Sequence, residues 1–177
     1  MPDMENEPKL IAAAERLFDR HGYMATGMDR LTEAAGMSSR TLYKHAGSKA
    51  QLMGRVLAER DRRFMAGIDV DSVDALFAAL QDWVRVEGAR GCLFLRSQGE
   101  TGGDTPEIAE TVGAHKTSFR QRLGDIVAKD LGCENMSLSE QVLVLFEGAT
   151  HAAVYRGDEA VSAARAAATI LVERARR

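Results

Sequence analysis

One pattern governs this chain: apolar residues recur three and four positions apart, and a glycine often closes the run. In "PKLIAAAERLFDRHG", Leu10, Ala13, Ala14, Leu17 and Phe18 fall on one helical face, and Gly22 stands where a C-terminal cap belongs. Met28, Leu31 and Ala35 repeat the phrase in a shorter segment that Gly36 ends. Leu42 is the inward residue of a third segment. Leu52, Val56 and Leu57 carry a long fourth one toward Phe64. This period buries one stripe of a helix and does not suit the two-residue alternation of a strand.

The start signals agree with the period. Thr26 with Asp29, Ser38, Ser48 with Gln51, Asp71 with Asp74, Ser137 with Glu140, and Asp158 each precede an apolar run as cap residues do. Thr105-Pro106-Glu107 puts proline in a first turn. "GARGCLFLRSQGETGG" holds a short helix between glycines. A long one runs from Pro106 to Leu131, and the last two carry "QVLVLFEGATHAAVYRG" and "EAVSAARAAATILVERA". "LVLF" has strand propensity, but its helical neighbours assign it to a helix. The expectation is an all-α protein of about nine helices, with residues 1–66 as one domain and residues 67–177 as another.

Charge sharpens that division. Residues 1–66 hold 11 basic and 9 acidic residues, whereas residues 67–177 hold 12 and 17. A slightly basic head on an acidic body fits a small polyanion-binding head. The start, "MPDMENEP", lacks the layout of a signal peptide, and no apolar run nears the roughly 18 residues of a membrane span. Cys92 and Cys133 match no metal or redox spacing, nor do His21, His45, His115 and His151. These features predict a cytoplasmic protein with reduced thiols, no metal, no cofactor and no membrane partner. Cys92 reads as a buried inert thiol or as a redox sensor.

The stretch from Met28 to Lys49 carries the chemistry. Two short helices, 28–35 and 39–45, meet at Gly36, the geometry of a helix-turn-helix. Met37 and Leu42 serve as apolar pegs. With Leu42 inward, Arg40, Thr41, Tyr43 and Lys44 reach outward; Arg and Lys suit guanine edges or phosphates, and hydroxyls suit phosphates. Ser48 and Lys49 open the next helix, whose N-terminus attracts phosphate. The plainer alternative is a solvated charged face between two structural helices.

Beyond that pattern, Ile11 to Leu52 resembles the N-terminal DNA-binding domain of the TetR family of transcriptional regulators. The matching residues are Ala13-Ala14, Leu17-Phe18, Gly22-Tyr23, Thr26, Leu31, Ala34-Ala35-Gly36, Ser38, Thr41-Leu42-Tyr43, His45 and Ser48-Lys49. The resemblance implies that Thr26, Tyr43, His45 and Lys49 hold phosphates, and that Ser39, Arg40 and Lys44 read bases. Ala46 stands where the family usually has Phe, and Thr32 where Ala is usual.

The resemblance also implies a helical body that binds an effector and forms a homodimer. Gly148, Ala149 and Ala152 on one helix, and Ala163, Ala167 and Leu171 on the last, are small or apolar enough for close helix approach. They fit a four-helix interface between subunits or a close pair within one chain. Trp83, Phe94, His115, Phe119, Phe146 and His151 are candidates to line an effector pocket, or to be plain core. The function implied is a repressor released from a palindromic DNA operator by a small apolar, neutral or cationic molecule. The alternative is a helical dimerisation or interaction protein with a non-inducible or vestigial DNA-binding head. No nucleophile–base pair, phosphate loop or paired carboxylate motif suggests an enzyme.

Overall fold

The computed structural model of the chain describes residues 2–177, with side chains from residue 6 onward. Among the described residues the structure is helical throughout. Its elements are α1 (Pro2–His21), α2 (Met28–Ala35), α3 (Ser39–Ala46), α4 (Lys49–Gly67), α5 (Val73–Glu87), α6 (Leu93–Thr101), α7 (Pro106–Leu131), α8 (Met136–Arg156) and α9 (Asp158–Ala175). No described helix is long and apolar enough to cross a membrane.

Two compact units share the chain. The first comprises the chain through Asp61 together with Leu93–Ala114; the second comprises Arg62–Cys92 and His115–Arg177. Helices α4 and α7 therefore each contribute to both units.

The first unit closes over Leu10, Ala13, Ala14, Phe18, Leu31, Leu42, Leu52 and Leu57, all almost fully buried. These are largely the residues that the 3.6 period singles out. Three charged side chains, Glu15, Asp19 and Arg60, are buried with this core, and the half-buried Arg96 reaches Asp19. Arg60 donates to Glu15 at 2.9 Å, and Arg96 donates to the Asp19 carboxylate at 3.1 Å and to the Asp19 carbonyl at 2.9 Å. A buried charge is tolerated only when paired in this way. The second unit packs α5, α8 and α9 around Phe77, Leu80, Leu123, Val142, Phe146 and Ala168.

Several helix starts differ from the sequence expectation. Ser38 caps α3 as expected, accepting from the Thr41 amide at 3.2 Å, and Ser48 and Gln51 make the reciprocal box, both bonds at 3.0 Å. Gly27 rather than Thr26 occupies the cap position of α2, without a side-chain bond. Ser72, not Asp71, caps α5, and Asn135, not Ser137, caps α8 through the Leu138 amide at 3.0 Å. Asp158 is the first residue of α9, and Gly157 holds its cap position. The acidic residues are drawn elsewhere: Asp71 pairs with Lys129 at 2.9 Å and Asp158 with Arg85 at 2.9 Å. α1 also begins at Pro2 and carries Pro8 within it, earlier than the apolar stripe indicates.

Candidate nucleic-acid interface

Helix α3 has two unlike sides because of its period. Leu42 and Ala46, one turn apart, are buried. Ser39, Arg40, Tyr43 and Lys44 fall on the other side and are exposed. Thr41 and His45 sit between, half-buried, and the Thr41 hydroxyl lies 2.9 Å from the Ser38 hydroxyl, within the cap. Ala46 fits its site closely, with 1% of its surface exposed.

The turn into α3 is set by Gly36 in the left-handed region, at φ 63°. The Gly36 amide donates to the Glu33 carbonyl at 3.1 Å, and the Met37 amide donates to the Thr32 carbonyl at 3.2 Å. This pair of bonds closes α2 and fixes the direction of the chain into α3. A Cβ at position 36 has open space, so the demand for glycine there is conformational.

Thr26 and Lys49 are positioned differently from the α3 row. Thr26 is fully buried, and its hydroxyl donates to the Gly22 carbonyl at 2.7 Å. The Lys49 ammonium donates to the carbonyls of Tyr23 at 3.0 Å and Thr26 at 3.2 Å. It also lies 4.3 Å from the centroid of the Tyr23 ring, a cation–π contact. Burial pushes the Lys49 ammonium below its ordinary range, offset in part by Glu100. On the other flank the Met24 amide donates to Glu100 at 2.8 Å. The turn between α1 and α2 is thus held by Thr26, by α4 and by α6. Near it, Arg30 lies 2.9 Å from His21 Nε2, and because a guanidinium only donates, Nε2 is the acceptor; desolvation, then Arg30 and Arg20, hold that imidazole below its usual pKa.

In the second unit, four of the six proposed pocket residues gather around one ring. Phe64 meets Trp83, His115 and Phe119 edge-on at 5.4, 5.5 and 5.3 Å between centroids, and Phe146 at 6.1 Å. Phe119 and Phe146 are 4.9 Å apart. Phe64, at the end of the fourth apolar stripe, and Phe77, 5.9 Å from Phe146, belong to this aromatic group as well. Phe94 is buried in the first unit, on α6. His151 is exposed on α8, with Nδ1 3.1 Å from the Glu147 carbonyl.

The small-residue set does come together. Gly148, Ala149, Ala152, Ala163 and Ala167 line an open groove between α8 and α9, and Leu171 lines the adjoining one with Val144 and Ile170. Val144, Tyr155 and Ile170 are 69%, 79% and 66% exposed, so these two helices carry apolar side chains on a face that the described residues do not cover.

Comparison with known proteins accords with this architecture. Residues 10–56 match the family model described as bacterial regulatory proteins, tetR family. The HTH-type transcriptional activator FasR of Mycolicibacterium smegmatis is 27% identical over 143 residues, 76% of this chain and 64% of that protein. The uncharacterized HTH-type transcriptional regulator Rv1255c of Mycobacterium tuberculosis is 27% identical over 125 residues, covering 66% of this chain and 62% of that one. The chain thus spans somewhat less than two thirds of the length of these curated relatives. The crystal structure of SCO4454, a TetR-family transcriptional regulator from Streptomyces coelicolor, superposes with a TM-score of 0.89 at 22% identity, covering 98% of this chain and 97% of that one. Residues 10–56 thus match the DNA-binding head of the tetR family of bacterial regulatory proteins, and nearly the whole chain shares the fold of a solved TetR-family regulator.

Proposed function

We propose that the protein is a homodimeric, cytoplasmic transcriptional regulator whose α3 reads base edges in the major groove of a palindromic operator. The observation that carries this reading is the exposed row Ser39, Arg40, Tyr43 and Lys44 on a short helix anchored behind by Leu42 and Ala46. Ser39, Arg40 and Lys44 read bases, and Thr41, Tyr43 and His45 hold phosphates. Thr26 and Lys49 serve the same surface from behind, by fixing the turn that leads into α2. The working division is a DNA-binding head over residues 1–66 and an effector-binding, dimerising body over residues 67–177. Two heads on a two-fold axis meet half-sites one helical turn apart, near ~34–36 Å.

The uncovered apolar face of α8 and α9 supports dimerisation through Gly148, Ala149, Ala152, Ala163, Ala167 and Leu171. The effector of this reading is apolar or amphipathic, neutral or cationic, and binds in the body, where Trp83, His115, Phe119 and Phe146 pack around Phe64. Coupling of about 1–3 kcal/mol between that site and the head would weaken operator binding roughly 5–150-fold, enough for a ligand to release the protein from its operator.

The test begins with duplexes selected by the protein from a random pool. Arg40→Ala and Lys44→Ala lower affinity for the selected duplex by about 1–3 kcal/mol and have a smaller effect on a scrambled duplex. Equal losses on both duplexes would remove base reading from α3. A reporter behind the selected sequence gives the sign of regulation, with repression expected; the relative from M. smegmatis is named an activator.

A further inference from the structure

We infer that Arg55 is a positioning residue for DNA reading: from α4 it grips the C-terminal end of α3. The inference rests on the reading of α3 as the DNA-contacting helix. Helix α3 has eight residues, and its buried side chains are Leu42 and the small Ala46. A helix this short has little stability of its own in water, and its last carbonyls lack intrahelical donors. Arg55 supplies them. Its Nη2 donates to the His45 carbonyl at 2.5 Å and to the Ala46 carbonyl at 3.0 Å, while Nη1 donates to Glu7 at 2.9 Å.

One guanidinium therefore ties α3 and α4 to α1. Its charge also lies at the negative end of the α3 dipole. The planar fork is what allows both edges to be used at once; a lysine ammonium is a point charge on a flexible stem and cannot span the same three acceptors. Gly47 sits at φ +67°, a backbone conformation that side-chain-bearing residues rarely adopt, and the turn it makes out of α3 brings Arg55 back against the helix end within two turns of α4. The aim of Arg40, Tyr43 and Lys44 depends on the axis of α3. Base contacts need that axis held; looser phosphate contacts tolerate its drift.

The experiment uses the full chain with Arg55→Met, Arg55→Lys and Glu7→Gln. In Arg55→Met, the Gly47 amide, which bonds the Tyr43 carbonyl at 3.0 Å, exchanges with solvent about tenfold faster, as do its neighbours in α3, while amides from Leu10 to Phe18 keep their protection. Affinity for the duplex selected by the wild type falls about tenfold, and affinity for a scrambled duplex of the same composition stays within about twofold. Arg55→Lys is intermediate, and Glu7→Gln moves both readouts the same way by about threefold, which keeps the test alive if Arg55→Met does not fold. Unchanged exchange in α3 overturns the grip. Faster exchange with unchanged selectivity, or equal loss on both duplexes, overturns the positioning role. A wild type that selects no duplex sinks the DNA reading and with it that role, while the exchange result still decides whether Arg55 holds α3.

Discussion

Lys49 is the residue whose meaning changes most once its surroundings are known. The family resemblance implies a phosphate contact. In the fold, its ammonium is engaged by two carbonyls and the face of Tyr23. Lys49→Met is therefore expected to destabilise the first unit by about 1–2 kcal/mol, the scale of charge-assisted bonds at a half-buried site. Binding to selected and scrambled duplexes falls together, because the turn before α2 loosens. The salt dependence of binding separates this from direct contact. An internal ammonium leaves the slope of log affinity against log salt nearly unchanged, whereas a phosphate contact would reduce it by about one unit. A fall of a full unit would return Lys49 to the DNA surface.

Among the helices, the caps decide which local signals matter. Asn135 accepts from the Leu138 amide, while Ser137 lies inside the first turn of α8. Asn135→Ala is expected to cost about 1 kcal/mol and lower the melting temperature, with Ser137→Ala close to neutral. The opposite ranking would restore the Ser137–Glu140 box. Helices α5 and α9 are joined by Arg165, which donates to both oxygens of Asp74 at 2.6 and 2.5 Å. That hydrogen bond, outweighing desolvation, holds the Asp74 carboxyl below its ordinary 3.8. A carboxylate with a depressed folded pKa contributes stability above its unfolded pKa and loses it as pH falls through the folded value. Because the pair faces solvent, the contribution is small, under about 1 kcal/mol. The stability gap between wild type and Asp74→Asn should be present at pH 7 and close well below pH 3.8. A gap that persists in strong acid would assign the effect to packing.

For the whole molecule, the uncovered face of α8 and α9 is the feature that asks for a partner. Ala163 is exposed and lines the groove with Gly148 and Ala152. Ala163→Arg puts a long charged side chain where a second copy would approach. Sedimentation should then report a monomer, with helicity by circular dichroism unchanged. Affinity for a two-half-site duplex should fall by at least about tenfold, because the second head no longer binds as part of one molecule. A dimer that survives this change, or a monomer with undiminished operator affinity, would move the interface elsewhere.

Read alone, the sequence determined the helices and the two sides of α3. The 3.6-residue stripes of Leu10 to Phe18 and of Leu52 to Leu57 are local consequences of side-chain spacing, and Leu42 faces inward because its neighbours are polar. The resemblance over Ile11 to Leu52 carried the DNA-binding head, which the family model matches over residues 10–56, because many fixed positions were matched at once. What it did not carry were choices settled by residues far apart in the chain. Thr26 bonds the Gly22 carbonyl instead of capping α2, since burial in the turn leaves that acceptor within its reach. Asp71 goes to Lys129 and leaves the cap to Ser72. Arg55, unremarkable in sequence, acquires a role only when α3 and α4 turn back on each other. Leu93–Ala114 joins the first unit although some 30 residues separate it from Asp61, because Arg96 and Glu100 reach Asp19 and Met24. Periodicity is a property of neighbours along the chain; partners such as these are chosen by competition among groups that meet only after the chain has folded.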